Sequence, residues 1–577
     1  MKNSLQIWSL LLCVIGATSV QGQTRYLDQI FDSQIITEGE QIGFNVDALR
    51  SDFGDFAGFQ ADMNTINGFI EDGDDVPLNF FVSNSDLPDE QQTVAKLFPI
   101  EMDIYTPPAE DTETNRPLIV YIHTGNFLPP VVNGGPGGSR KDSVVVNLCK
   151  QWAQKGYVVA ALSYRLGWNP ISEDPDVRRG TLLQAVYRAI HDTQTAVRYM
   201  RSTAAQGNPY GINPEQVALF GQGSGGYVAQ AYATLDDYNN EIAIPKFIGE
   251  DGLPYVLETV DGGINGEPGA IRLPDPLQQA GISKEVSMSI NMGGALADIS
   301  WLEEGDAPMV TIHCIRDPFA PFDDGTVVVP TTNEDVVDVS GGNVFIQQAV
   351  EFGNNSVFAS IPDGNDVFTD RARELYGETY EYILGSQPEI TVAPNPEGLL
   401  PLLLPINTID GNIFTNEGSP WDWWDFETLQ QVVAATNAAL GSNYDADEIH
   451  QQSLAGNPGM SSEKGLAYID TIQGYVNPRM MCVFEFEGNP CALSTDENEL
   501  DRSTNLFPNP AQTTVSIQND EFPIRRVEVY DITGRLVSEE VVNNNFHTFE
   551  RGGLNTGVYL MQIIFDNQRI TKKVMFN

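Results

Sequence analysis

The sequence predicts an α/β protein: a doubly wound, mostly parallel sheet with a helical insertion or lid, followed by a small C-terminal β-sandwich. Three observations carry this prediction. Between residues 98 and 385, buried apolar runs of strand length alternate with segments of helical periodicity, the pattern of a parallel sheet covered on both faces. The last 75 residues break into short β-rich runs separated by turn signals. The chain has 577 residues, 41% hydrophobic and 10% aromatic, enough for about two to four domains.

The first segment is a secretory signal, residues 1–22. Lys2 supplies the positive start, Leu5 to Ala17 is mostly apolar, and Val20-Gln21-Gly22 offers small residues before Gln23. The apolar run is too short to cross roughly 30 Å of hydrocarbon. Gly398 to Ile406 is apolar but broken by Pro401 and Pro405, so no transmembrane anchor is expected.

The body, residues 23–493, follows. Residues 47–92 are rich in Asp and Gly and read as an insertion. Glu101 to Tyr105 reads as a strand, and Pro117 to Ile122 and Tyr157 to Leu162 are buried runs. Leu182, Val186, Ile190, Val197 and Met200 fall on one face at helical spacing. Gln216 to Phe220 enters a glycine-rich turn, and Val286 to Ile290 and Pro308 to His313 supply two more strands. Residues 386–460 read as a helical insertion or lid with a Pro-rich start, and Ala467 to Arg479 as a closing helix. Residues 494–502 form an acidic linker to a module spanning 503–577, whose strands run over Thr514 to Gln518, Arg526 to Tyr530, Arg535 to Glu540, Val558 to Phe565 and Ile570 to Phe576.

The turns of the body carry a more specific pattern. His123-Thr124-Gly125-Asn126-Phe127 follows one strand and Tyr164-Arg165-Leu166-Gly167 the next. Asp192 lies on the long helix, and Leu219-Phe220-Gly221-Gln222-Gly223-Ser224-Gly225-Gly226 joins a strand to a helix. Together these resemble the α/β-hydrolase fold, nearest its carboxylesterase and lipase branch. Tyr26 to Phe31 resembles the N-terminal segment of that branch.

The resemblance implies a serine on a sharp strand-to-helix turn, a histidine base, an orienting acid and backbone N–H groups for the oxyanion. Such a turn needs small residues two before and two after its apex. Gly221 and Gly225 satisfy this around Gly223, which puts a residue without a side chain in the nucleophile position. The alternative register makes Ser224 the nucleophile on a distorted elbow. Asp317, in His313-Cys314-Ile315-Arg316-Asp317, matches the family acid. The family histidine is expected on the loop after the last strand. Read as that strand and loop, Val357 to Asp366 carries Asn365 there, and asparagine accepts no proton at neutral pH. Of five histidines, only His450 remains as a candidate base. The oxyanion loop would draw on Gly125, Asn126, Gly223 and Gly225. The leading expectation is thus a catalytically degenerate hydrolase fold used for binding or surface structure. The alternative is an active esterase, lipase-like enzyme or peptidase with Ser224, Asp317 and His450.

Trp421-Asp422-Trp423-Trp424-Asp425 offers Trp421, Trp423 and Trp424 for stacking on a ligand or for anchoring the insertion. A small ester, a peptide or a glycan are the ligand classes considered. No cofactor is expected. No CxxC pair or His-rich cluster suggests zinc, and the acidic clusters (Glu71 to Asp75, Asp323-Asp324, Asp445 to Glu448) lack EF-hand spacing, so no metal is expected. Cys482 and Cys491 flank the turn residues Gly488, Asn489 and Pro490, which suits a local disulfide.

In the C-terminal module, Asn505 to Ala511, Val527 to Arg535, Leu554 to Tyr559 and Lys572-Lys573-Val574 resemble the type A C-terminal sorting domain of the type IX secretion system. That implies engagement of the secretion machinery through residues 503–577. It also implies passage across the outer membrane of a Gram-negative bacterium, with release or surface attachment of the body.

Charge completes the reading. Lys plus Arg is 31 against 79 Asp plus Glu, a net −48. The tail from Ser503 holds seven basic and eight acidic residues, so the body carries nearly all of the excess. A surface this acidic repels nucleic-acid phosphates, so nucleic acid is excluded as a partner.

Overall fold

The computed structural model describes residues 24–329, 334–382, 389–405, 407–409, 412–414, 418–491, 503–519, 522–531, 536–565 and 569–577. The expected signal segment, the 494–502 linker and the turn signals at 532–534 and 566–567 lie outside the described residues.

The central sheet has eight strands. Seven are β1 (Ile35–Val46), β2 (Leu97–Thr106), β3 (Arg116–Ile122), β4 (Val158–Ser163), β5 (Ile212–Gln222), β6 (Met288–Met292) and β7 (Met309–Cys314). Two hairpins, β8 (Asp324–Val328) with β9 (Asp335–Ser340) and β10 (Thr379–Glu381) with β11 (Glu389–Thr391), precede β12 (Leu399–Leu402), the eighth. The strand order is β1-β2-β4-β3-β5-β6-β7-β12. β1 and β2 are antiparallel to their neighbours, and the other six run parallel. This topology is the α/β-hydrolase fold.

Side chains alternate across the sheet and divide the core in two. Leu118, Val120 and Ile122 of β3, with Val217 and Leu219 of β5, face one layer. Ile119, Tyr121, Ala218 and Phe220 face the other. The long α3 (Pro175–Ala205) and α4 (Ser224–Thr234) cover the first face; α2 (Ser143–Lys155) and α11 (Ser462–Val483) cover the second. Asp174 caps α3 by accepting from Asp176 N, with Pro175 in the first turn, where a missing N–H costs nothing. Asp192 on α3 holds the loop after β4 through Arg165: its carboxylate accepts from Arg165 N at 2.8 Å and pairs with the guanidinium at 2.8 Å, both side chains 1% exposed. On the opposite face, Trp152 donates its indole N–H to Asn477 Oδ1 at 2.9 Å.

Residues 47–92 form an insertion containing α1 (Phe56–Asp72), whose Phe59, Met63 and Ile66 close a small core with Val46, Phe80 and Leu97. Between β5 and β7 lie two single-turn helices, α5 (Glu258–Asp261) and α6 (Pro276–Gln279). After β9 come α7 (Gly342–Glu351) and α8 (Val367–Leu375).

Two expectations need correction. Val357 to Asp366 is not the last strand and its loop. Ser356–Ser360 is a 3-10 helix with Phe358 in the core, and a turn then leads into α8. A five-residue apolar run does not distinguish a strand from a buried helical turn. The last sheet strand is β12, so residues 386–460 are not wholly an insertion. Pro401 sits within β12 because this is the edge strand, where a missing N–H breaks no ladder on the open side. A largely helical segment follows β12. Its described residues include the short pair β13 (Asn407–Ile409) and β14 (Asn412–Phe414), then α9 (Phe426–Leu440) and α10 (Ala446–Gly456).

Cys482 and Cys491 form a disulfide, and Cys149 is a buried free thiol. The C-terminal module is an antiparallel sandwich. One sheet holds β15 (Thr504–Phe507), β16 (Thr514–Asn519) and β19 (Phe546–Glu550). The other holds β17 (Ile524–Asp531), β18 (Leu536–Asn544), β20 (Gly557–Ile564) and β21 (Arg569–Phe576). Val515, Ile517, Val527, Met561 and Val574 fill the space between the sheets.

Candidate active site

The site is built at the C-terminal edge of the parallel strands, where open α/β sheets place their ligands. β5 ends at Gln222, α4 begins at Ser224, and Gly223 alone makes the turn. Gly223 has φ 52° and ψ −117°, a conformation that a side chain strains. Its amide donates to Met292 O and its carbonyl accepts from Gly226 N, each at 2.8 Å. A Cβ on Gly221 would run into the backbone of Gly225, and one on Gly225 into the carbonyl of Ile122. The apex is therefore Gly223, with obligatory glycines two residues to either side. The space above it is filled from the loop after β3: a Cβ on Gly223 would collide with Thr124 Oγ1.

Ser224 lies past the apex, in the first turn of α4. It is 5% exposed, and its hydroxyl lies 3.3 Å from Tyr164 Oη. Tyr164 itself donates to His123 O at 2.9 Å, so Ser224 donates to Tyr164. The loop carrying Gly125 and Asn126 is held in left-handed conformations (φ 127° and 52°), and Trp168 donates its indole N–H to Asn126 O at 2.7 Å.

Asp317 follows β7 and is 4% exposed. Its Oδ1 accepts from the amides of Phe319 and Ala320 at 2.8 and 3.0 Å. Burial pushes its pKa up to about 7, against the pull of those two amides. Where an orienting acid would meet its histidine, Asp317 meets main chain: a Cβ on Gly418 would lie 2.7 Å from Oδ1.

Two carboxylates not singled out in the sequence share the site. Asp422 lies just before α9, and its Oδ1 accepts from Gln222 Nε2 at 2.8 Å; Gln222 Oε1 in turn accepts from Tyr121 Oη at 2.9 Å. Burial, then the charge of Asp142, raises the Asp422 pKa to about 8. Asp142 precedes α2 and accepts from the amides of Gly138 and Ser139 at 2.7 and 3.1 Å, while burial raises it to about 6. The sequence signal for Asp142 was its place just before an apolar helical run. Asp422 carries no sequence signal beyond its place among three tryptophans.

None of the five histidines lines the cavity at this site. His123 donates its Nδ1 proton to Thr124 O at 2.6 Å, and burial lowers its pKa to about 4. His313 is also lowered to about 4 by burial. Its Nδ1 accepts from Gly342 N, so its Nε2 proton goes to Ala320 O at 3.0 Å. His191 is held in the core by Gly263 O, and His547 pairs with Glu540 in the C-terminal sandwich. His450, on α10, accepts at Nδ1 from Trp424 Nε1 at 3.0 Å and packs on Phe426 at 4.7 Å. Asn365 is exposed, bonded to its neighbour Asp366, and stands outside the cavity lining.

The cavity itself measures about 790 Å³. Its floor is the Gly223 turn and the Thr124 loop; α3 and the β8–β9 hairpin wall it, and residues 419–457 cover it. Trp423 and Trp424 line it, whereas Trp421, 1% exposed, is part of the sheet core and packs over Gly293. Among the described residues no three His, Cys, Asp or Glu side chains converge as a metal site requires, and no helix is long and apolar enough to cross a membrane.

The strand order and the sharp β5–α4 turn define a protein of the α/β-hydrolase fold. Residues 102–252 match the family model BD-FAE, and residues 505–577 match that of the secretion system C-terminal sorting domain. The chain thus carries an esterase-like hydrolase domain and a type IX sorting domain. No curated protein matches it. Among solved structures, Thermogutta terrifontis esterase 2 phosphorylated by paraoxon is 18% identical, with a TM-score of 0.25 over 39% of this chain and 69% of that one. The propionate-bound esterase of the same Thermogutta terrifontis is 17% identical, with a TM-score of 0.26 over 39% and 70%. The sorting domain implies export and contact with the secretion machinery.

Proposed function

We propose that the body, residues 23–493, is a ligand-binding protein built on an esterase fold, and that it does not hydrolyse esters through a serine triad. The observation that carries this is Gly223 at the apex of the turn, with Thr124 in the space a nucleophile's Cβ would need. The disposition of the histidines supports it, since none of the five lines the cavity that Asp317 lines. Residues 503–577, joined by the 494–502 linker, direct the body through the outer membrane of a Gram-negative cell. The tail is then removed, and the body is released or attached to surface lipopolysaccharide.

The test is a fluorophosphonate probe together with short p-nitrophenyl esters, applied to the purified protein. The expected result is no labelling and no turnover above the rate in buffer. Stoichiometric labelling of Ser224 overturns the proposal. One observation favours that second reading: Ser224 lines the cavity. An active enzyme using Ser224, Asp317 and His450 requires Ser224→Ala and His450→Ala each to abolish turnover.

A further inference from the structure

The charges that line the cavity are one-sided. Asp142, Asp317, Asp422 and Asp425 line it, with Lys141 as the one cationic residue among the described lining and no Arg, His or Glu. Lys141 is committed elsewhere: its ammonium lies 2.7 Å from Asp103 Oδ2 and 2.9 Å from Glu38 Oε2. Among the described residues, neither Asp142 nor Asp422 has an ion-pair partner; their donors are amides and, for Asp142, also the Ser139 hydroxyl. Among the described residues Asp317 Oδ2 accepts no hydrogen bond; His313 Nε2 lies 3.9 Å from it, and its proton goes to Ala320 O.

A half-buried carboxylate without a countercharge tends to hold its proton; a cation entering the cavity stabilises the ionised form and displaces that proton. An anionic ligand would do the opposite. Trp423 and Trp424 follow Asp422 in sequence and line the same space, and indole faces attract cations. The valines of the β8–β9 hairpin extend the wall as apolar surface. No three acidic or imidazole groups converge among the described residues, so the geometry suits a bulky organic cation better than a metal ion.

We propose that the cavity above Gly223 takes an amphipathic organic cation, its ammonium group held by Asp422 and Asp142 against Trp423 and Trp424. The inference rests on the reading of this cavity as a binding site.

The experiment is calorimetric titration of the full-length protein at pH 9, where Asp422 and Asp142 are both ionised, with phenyltrimethylammonium and with its neutral isostere, tert-butylbenzene. The cation is expected to bind about tenfold more tightly, at low and at high salt. Asp422→Asn keeps the bond from Gln222 and should bring the two affinities together without weakening the isostere. Asp142→Asn serves as the second variant should the first lose its fold. Equal affinities in the native protein, a preference lost at high salt, or one that survives both substitutions overturns the cation assignment and leaves the binding cavity standing. Binding of neither compound overturns the cavity reading as well.

Discussion

Gly223 and Thr124 compete for one small volume: a Cβ on Gly223 would collide with Thr124 Oγ1 and lie 3.0 Å from Thr124 Cβ. The pair links the β5–α4 turn to the loop after β3. A side chain at 223 pays a backbone cost and a steric one together. Gly223→Ala should therefore destabilise the protein by more than the ~1–3 kcal/mol of a strained conformation alone. Thr124→Gly in the same chain should return part of the loss, a coupling of about 0.5–3 kcal/mol in a double-mutant cycle read by thermal denaturation. Additive losses would show that the two residues do not share the space.

Installing a serine should not restore catalysis. Gly223→Ser places a hydroxyl at the apex, but no histidine lines the cavity to take its proton and Asp317 faces the backbone of Gly418. Ester turnover is expected to stay at the background rate, alone and with Thr124→Gly. A burst of p-nitrophenol from either variant would mean that another group in the cavity serves as base.

The flanking glycines make a stricter demand. At Gly221 and Gly225 an added Cβ meets main chain rather than a hydroxyl that can rotate away. Gly221→Ala and Gly225→Ala should each cost more stability than Gly223→Ala, measured as the fall in denaturation midpoint. The reverse order would mean that the turn yields more readily than the Thr124 loop.

The parallel strands were legible because buried β-runs such as Leu118 to Ile122 and Val217 to Phe220 are apolar on both faces and bounded by turns. The turn glycines were legible because sterics alone dictate them. β12 was not: four residues with Pro401 among them carry no period, and the more apolar run at Val357 to Ile361 took its place. With Val357 to Ile361 as the last strand Asn365 falls where the family histidine belongs; with β12 in that place, Asn365 stands outside the cavity and Asp422 lines it. Thr124 lay beyond reach for another reason. Its role is a contact between two loops distant in sequence, which neither loop encodes alone.

The Cys482–Cys491 disulfide closes a short loop at the end of α11, with a sequence separation of 9. Loop-closure entropy for so short a ring is about 2–3 kcal/mol. Cys482→Ser with Cys491→Ser should lower stability by about that amount, and reductant should lower the native melting temperature without affecting the double variant. A reductant effect that persists in the double variant would point to a different cause.

The buried acids set the direction of the pH dependence. Asp142, Asp317 and Asp422 are raised from 3.8 to about 6, 7 and 8, chiefly by burial. From about pH 4 to 8 the folded protein holds protons that the unfolded chain has released, so these groups make stability fall as pH rises. Asparagine at 422 keeps the acceptor for Gln222 and removes one titration. The melting temperature of Asp422→Asn should therefore fall less steeply between pH 5 and 8 than that of the native protein, with the largest gain at the alkaline end. Asp317→Asn should show the same change with its alkaline end about one pH unit lower. Parallel curves for native and variant proteins would mean that Asp422 is ionised in the folded state across this range.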